Sequence, residues 1–237
     1  MITIFNSMNV LTNLLSYIFP QKIEEVESVV NGKIIVELYR GSYRISVDGY
    51  WQSGRYVANL LGKVIKKANN YGEDINNILI LGLGGGSVVE EVNKLIPDAK
   101  ITGVDMDPEM IRLGIKFLNL SKAINLKIII DDAAHFVENI KSKEIFDMIV
   151  SDVFVACDVP DSVSSTQFLE NISNLLTAEG VYIVNRPYRE KYKKPTDEFV
   201  KRVKNQFKQV ETEIIGPHLI IWAYKKNSKL EARKPKQ

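Results

Sequence analysis

Short runs of branched apolar residues recur along the second half of the chain: Ile78–Leu81, Lys100–Val104, Leu126–Ile130, Phe146–Val150 and Val181–Val184. Between them apolar residues fall at helical spacing, from Ser87 to about Ile96, Pro108 to about Leu120, Ala133 to Ile140 and about Ser165 to Leu176. Fully apolar strands alternating with amphipathic helices predict a parallel sheet covered on both faces. The end departs from this rhythm. A helix from about Thr196 to Phe207 leads to Val210–Ile215 and Leu219–Tyr224, split only by Gly216-Pro217. Two strands that close together make a hairpin, so the last strand is predicted antiparallel. Ahead of the alternation, Lys33–Tyr39 and Tyr43–Val47 flank Arg40-Gly41-Ser42 and read as another small hairpin. The predicted class is α/β: a Rossmann-like, doubly wound, mostly parallel sheet with an antiparallel last strand, preceded by a helix and a small β-rich piece. The expected segments are an N-terminal helix at 1–21, a small β-hairpin domain at 22–55, the Rossmann-like domain at 56–225 and a basic disordered tail at 226–237.

The first 21 residues carry no charged side chain, yet no basic start precedes them and Asn6, Ser7, Asn9, Thr12, Asn13 and Ser16 interrupt the apolar positions. That excludes a signal peptide and a membrane span. Val10, Leu11, Leu14, Leu15, Ile18 and Phe19 instead outline an amphipathic helix, expected to pack on its own chain or on a second subunit, with a homodimer as the open alternative. The net charge of +2 hides an asymmetry. The tail from Lys225 holds six basic residues and one acid, a net of +5, which leaves about −3 for the body. No basic stripe with interleaved aromatics accompanies it, so no nucleic-acid partner is expected. One cysteine, Cys157, and two histidines, His135 and His218, allow no intramolecular disulfide and argue against a metal site. A reducing, cytoplasmic setting is the expectation.

The candidate chemistry sits at strand ends. ILILGLGGGSVVEEV places Gly82, Gly84, Gly85 and Gly86 between a strand and a helix, at the carboxyl edge of the sheet. Glycines there permit a tight turn and let backbone lie against a nucleotide-like ligand. Serine at position 87 breaks the dinucleotide fingerprint, whereas the form with Gly82, Gly84 and Gly86 fits in full. Asp105 and Met106 follow the second strand, and a carboxylate there suits the two hydroxyls of a ribose. Asp107 precedes Pro108 and reads as a helix cap. Asp132 and Ala133 follow the third strand, where an acid can accept from an adenine amine and a small residue admits the ring; Asp132 reads equally as a cap. Asp152 follows the fourth strand. Of the remaining residues, Tyr50 and Trp51 read as core or as pocket wall, His135 as a surface or adenine-covering residue, Cys157 as inert, and RPYREKYKKP, from Arg186 to Pro195, as a solvated basic loop.

GLGGGS, VDMDPEMI, DDAAHFV and FDMIVSDVF together resemble the spermidine synthase family of aminopropyltransferases, and the likeness extends from about Val26 to Val184. SVDGYWQSGRY is similar to the end of that family's N-terminal β-domain and puts Gln52 at the place of its glutamine. The resemblance implies a transferase with an S-adenosylmethionine-type cofactor, intact or decarboxylated, and a small-molecule amine as acceptor. It implies cofactor contacts at Gly82, Gly84, Gly85, Gly86, Asp105, Met106, Asp132 and Ala133, acceptor contacts at Gln52, Asp152 and Asp158, and Asp152 as catalytic base. Three departures bear on the activity. Gly85 stands where the family has an aspartate that reads the ammonium of the decarboxylated cofactor, Val155 stands for a second loop aspartate, and RYVANLLG replaces the family's Asp-Glu and Tyr-His motif. An aminopropyltransferase, a methyltransferase of unknown acceptor and a non-catalytic nucleoside-binding homologue all remain open.

Overall fold

The computed structural model describes residues 10–69, 74–140 and 145–225. The predicted tail at 226–237 and the first nine residues lie outside them. Residues 10–16 form a helix, α1. Four antiparallel strands follow in sequential order, β1 (Gln21–Ser28), β2 (Gly32–Tyr39), β3 (Ser42–Val47) and β4 (Tyr50–Gly54). The β2–β3 pair is the hairpin expected from Arg40-Gly41-Ser42. Strand β1, QKIEEVES, escapes sequence reading because it alternates charged residues and has no continuous apolar run.

After α2 (Arg55–Asn69) the chain builds one seven-stranded sheet in the order β10-β11-β9-β8-β5-β6-β7. Its strands are β5 (Asn77–Leu81), β6 (Lys100–Asp105), β7 (Leu126–Ile130), β8 (Phe146–Ser151), β9 (Leu176–Pro187), β10 (Gln209–Ile215) and β11 (His218–Tyr224). Strands β7, β6, β5, β8 and β9 are parallel to their neighbours, and β11 runs antiparallel against β9 and β10. Helices α3 (Ser87–Leu95), α4 (Pro108–Phe117), α5 (Ala133–Asn139), α6 (Thr166–Leu175) and α7 (Glu190–Gln206) supply the crossovers and the last connection. Ile78 and Ile80 face one core with Val88, Val92 and Trp222, while Leu79 and Leu81 face the other with Phe168 and Ile221. That two-sided burial is why the strands read as unbroken apolar runs.

The small sheet lays Ile34, Val36, Ile45 and Val47 on Met110 and Leu113 of α4. A polar lock accompanies this packing. Asp107, fully buried, caps α4 through the amides of Glu109 and Met110 and also accepts from Ser28 Oγ at 2.6 Å and Asn31 Nδ2 at 2.7 Å. The capping role expected from Asp107-Pro108 is thus present, with a second duty toward the β-piece.

One alternative is removed and one expectation corrected. Of the two packings expected for the N-terminal helix, the one on its own chain is not seen among the described residues: Val10, Leu11 and Leu14, with Ile18 and Phe19 just beyond it, are 50% to 76% exposed, and packing on a second subunit stays open. The helix is held by its polar side, with Arg40 N–H donating to the Ser16 carbonyl and Gly41 N–H to Ser16 Oγ. Arg186–Pro195 is not a solvated loop. Arg186 is a buried member of β9, and Glu190–Pro195 are the opening turns of α7. Pro195 stands inside α7, where it forgoes the bond to the Lys191 carbonyl and its ring crowds that carbonyl.

Candidate functional site

Strands β5 and β8 are neighbours at the centre of the sheet, and the chain leaves them in opposite directions, to β6 on one side and β9 on the other. Such a switch point opens a crevice at the carboxyl ends of the strands. The glycine loop after β5, Asp105 after β6 and Asp152 after β8 all border it. Asp152 N–H donates to the Leu81 carbonyl at 2.9 Å, which fixes the two strand ends together.

The glycines have mainly internal reasons. A Cβ on Gly82 would stand 2.3 Å from the Asp152 carbonyl oxygen, and one on Gly86 2.4 Å from Leu120. Gly85 turns toward Ser53, whose Oγ accepts its N–H at 2.7 Å, and a Cβ there would meet Leu118 at 2.7 Å. Position 85 therefore has no room for an acidic side chain without movement of Ser53 and Leu118. Gly84, at φ +56°, offers its N–H to Asp105 Oδ2 at 2.6 Å, and Asp105 Oδ1 accepts from Asp107 N–H at 2.9 Å. The Asp105 carboxylate thus ties the loop to β6, a task not visible in the sequence. Burial pushes its pKa up, and the two backbone donors oppose that shift. Two acceptor positions on a carboxylate leave about two more free.

Asp132 caps α5, accepting from Ala134 and His135 N–H groups at 2.9 Å, so the cap reading describes its geometry. His135 pairs with Asp131 at the surface at 2.8 Å. Met106 and Ile130, at the ends of β6 and β7, are 39% and 52% exposed. Asp132, Ala133 and Met106 line neither of the two cavities at the strand ends.

Those cavities meet at Asp152. The smaller, about 40 Å³, lies among Gly82, Gly84, Asp105, Ser53 and Asn31. The larger, about 330 Å³, is walled by Tyr50, Trp51, Tyr56, Phe154 and Tyr192, with Asn185 and Asp152 among its polar groups. Tyr50 and Trp51 are about half exposed, so they wall this cavity and are not core. Asp152 accepts from Asn185 Nδ2 at 2.8 Å, and burial, reinforced by the Asp105 charge, raises its pKa to about 6. Asn185 Oδ1 is buried without a partner. Asn185 was missed in the sequence, where it only looks like the polar end of the run Val181–Val184.

The loop after β8 is held from two sides. Ala156, at the strained φ of +53°, donates its N–H to Asn31 Oδ1 at 3.0 Å and accepts from Gln52 Nε2 at 2.6 Å. Left-handed backbone at a non-glycine residue costs on the order of 1–2 kcal/mol, and these two side chains offset it. Gln52 lines both cavities, but its amide nitrogen already positions the loop. Asp158 lines neither cavity; its carboxylate points outward to Tyr192 Oη at 2.9 Å and Lys191 Nζ at 3.4 Å, and these contacts lower its pKa.

With this geometry in hand, the comparisons with known proteins fall into place. The chain belongs to the methyltransferase domain family, whose model matches residues 73–232. It is 28% identical over 204 residues to a polyamine aminopropyltransferase of Prochlorococcus marinus, covering 77% of this chain and 71% of that one. It is 29% identical over 122 residues to the eEF1A lysine and N-terminal methyltransferase homolog of Drosophila melanogaster; there the match spans 48% of this chain and 18% of the longer protein. A solved spermidine synthase in complex with the transition-state analogue AdoDATO superimposes with a TM-score of 0.75 at 17% identity, over 91% of this chain and 77% of that one. The fold is therefore spermidine synthase-like, within the S-adenosylmethionine-dependent methyltransferase superfamily. Among the described residues no helix is long and apolar enough to cross a membrane.

Proposed function

We propose that the protein transfers an alkyl group, aminopropyl or closely related, from an S-adenosyl sulfonium to a small amine. The observation that carries this reading is Asp152: a partly buried carboxylate with its pKa raised to about 6, where the nucleoside crevice meets an aromatic cavity. A base poised close to neutral pH, within a water-poor site, suits removal of a proton from an attacking amine.

The residues present fit the cofactor. The free acceptor positions of Asp105 suit the ribose hydroxyls. The small cavity, about 40 Å³, admits only the sulfonium end. The rest of the nucleoside would lie in the open crevice, over the exposed Met106 and Ile130 and beside Asp132 and Ala133. When bound, the S-adenosyl group supplies a carbon made electrophilic by its sulfonium neighbour. Asn185 occupies Asp152 Oδ1 and leaves Oδ2 free to accept a hydrogen bond from the amine. That oxygen would take the proton released as the amine nitrogen forms its new bond to carbon, the carbon–sulfur bond breaking in the same displacement and the sulfur leaving as a neutral thioether.

Methyl transfer is the second reading, and a specific observation favours it. No acid stands at position 85 to select the decarboxylated cofactor, and the Ser53 and Leu118 contacts leave none room. One assay separates the readings: the full chain is incubated with intact or decarboxylated S-adenosylmethionine and an amine mixture, and the nucleoside product is identified. Amine-dependent methylthioadenosine supports alkyl transfer as proposed; S-adenosylhomocysteine moves the assignment to methyl transfer. Tight nucleoside binding with neither product identifies a non-catalytic homologue.

A further inference from the structure

The larger cavity carries information about the acceptor that the fold does not. Among the described residues Asp152 is the sole carboxylate lining it, and Arg189 its one permanently charged cation. Asp152 is only partly accessible, while Arg189 sits exposed at the start of α7 and makes no ion pair among the described residues. His218 also lines the cavity; burial, and then Arg189, lower its pKa, so it is neutral at pH 7 and adds no positive charge. At the outer edge Asp158 is occupied by Lys191 and Tyr192. The cavity therefore has a negative inner end and a positive outer end, with aromatic walls between them.

A linear diamine needs a second anion, or an open aromatic face, for its far ammonium. Among the described residues no second carboxylate lines the cavity, and its best cation-binding ring is already taken. Position 155 is valine, and Val155 is folded into a tight bridge with Asp158. Trp51, the best cation-binding ring, already has the Arg44 guanidinium 4.8 Å from its centroid, and its edge packs on Tyr56 at 5.5 Å. A second ammonium at the outer end would meet the like charge of Arg189, a repulsion that solvent and salt moderate because Arg189 is exposed.

We infer that this cavity takes an acceptor with one amine, a flat apolar body and an anionic group at the far end, in place of a linear diamine. The amine lies at Asp152, with the orphaned Asn185 Oδ1 as a second acceptor for its N–H groups. The ring lies between Tyr50, Tyr56 and Phe154, and the anion meets Arg189. This inference rests on the amine-transfer reading above and narrows it to a substrate class.

The test is calorimetric titration of the full chain at pH 7.5 with 4-(aminomethyl)benzoate, benzylamine and putrescine. The expected order of affinity is as written, with at least a tenfold gap between the first and the last. Arg189→Glu is expected to weaken 4-(aminomethyl)benzoate at least tenfold, to leave benzylamine within threefold and to strengthen putrescine. Arg189 makes no capping bond, so the variant is expected to fold, and its melting temperature checks that. Putrescine binding equal to or tighter than 4-(aminomethyl)benzoate, and lost in Asp152→Asn, overturns the inference and leaves amine transfer standing. An affinity order unmoved by Arg189→Glu likewise overturns it. Absence of binding by all three amines overturns both together.

Discussion

The two cavities that meet at Asp152 are built in opposite ways. The smaller, proposed for the nucleoside, is made of backbone and short polar groups: Gly82, Gly84 and Asp105 at neighbouring strand ends of the large sheet, and Ser53 on β4 of the small one. Its contacts are tight enough that most of its glycines are explained by neighbouring protein atoms. The acceptor side is wide and aromatic, and draws on four separate parts of the chain: β4, the start of α2, the loop after β8, and the region from β9 to β11. A close-packed loop tolerates little change without loss of fold. An aromatic cavity walled by half-exposed side chains can change its ligand while the scaffold stays intact. The family's shared chemistry is therefore expected to reside on the first side and this chain's own specificity on the second.

The sharpest way to break that contrast is Asp152→Asn, because Asp152 belongs to both sides. Removing the base is expected to cut amine turnover by roughly a hundred- to ten-thousand-fold. The same change is expected to stabilise the fold. In the folded protein Asp152 holds its proton up to about pH 6, against an ordinary value of 3.8. The unfolded chain binds fewer protons in that window, so stability falls as pH rises from about 4 to 6 and is level above it. The difference of about two pH units corresponds to about 3 kcal/mol of stability absent at pH 7. Urea unfolding at pH 7 and at pH 4 checks this: Asp152→Asn is expected to gain at pH 7 and to gain nothing at pH 4. A variant that is equally stable at both pH values relative to the unmodified protein would place the raised pKa elsewhere.

Gly82→Ala probes the tight side alone. The added methyl would collide with the Asp152 main chain, and the residue would be held at φ +81°. Strain and overpacking together are expected to cost about 3 kcal/mol, read as a shift of the denaturation midpoint. A change below 0.5 kcal/mol, on the same scale of about 1–3 kcal/mol for overpacking, would mean that the β5–β8 junction is softer than drawn.

Asp105→Ala is expected to cost less for folding and more for ligand. Loss of the ribose contact should weaken S-adenosyl compounds by about 1–3 kcal/mol, typical of a hydrogen bond to a charged group. Titration with S-adenosylmethionine, its decarboxylated form and methylthioadenosine should show the same loss for all three, since they share the ribose. A loss confined to one of them would put Asp105 at the variable end of the cofactor.

The same contrast explains what could be read in advance. The parallel sheet, the antiparallel end, the glycine loop and the three strand-end acids Asp105, Asp132 and Asp152 were legible because each is encoded within a dozen residues: an apolar run, then a glycine or an acid, then a helix. The duties of those acids were less legible. Asp105 anchoring Gly84, Asp107 accepting from Ser28 and Asn31, and Gln52 holding Ala156 are contacts between positions 21 to 104 residues apart. Helix α2 is not among the elements predicted from the sequence, although its apolar stripe at Leu61, Val64, Ile65 and Ala68 is regular. The acceptor cavity was largely invisible. Asn185, Arg189 and His218 lie in separate elements, and nothing in their spacing links them to Tyr50 and Trp51.

Asp158 is the residue on which the two sides make the finest distinction. Its place in SDVFVACDVPDS suggests a negative mouth that draws in cations, together with Asp152 and Asp161. In the folded protein the three acids part company: Asp152 is partly buried at the cavity, Asp161 opens a short 3-10 turn, and Asp158 is exposed and paired with Lys191 and Tyr192. An exposed pair of this kind contributes little and is screened by salt. Asp158→Asn is therefore expected to change the apparent KM for an amine by less than about threefold, since exposed pairs are worth under about 1 kcal/mol. The small change should vanish at high ionic strength, with kcat unaltered. The Tyr192 hydroxyl also contacts Cys157 Sγ at 3.6 Å, so the loop keeps a second tie to α7 when the acid is neutralised. Steady-state kinetics at low and high salt decide the matter. A tenfold rise in KM that persists at high salt would show Asp158 touching the acceptor, and the outer end of the cavity would then have to be redrawn with a carboxylate in it.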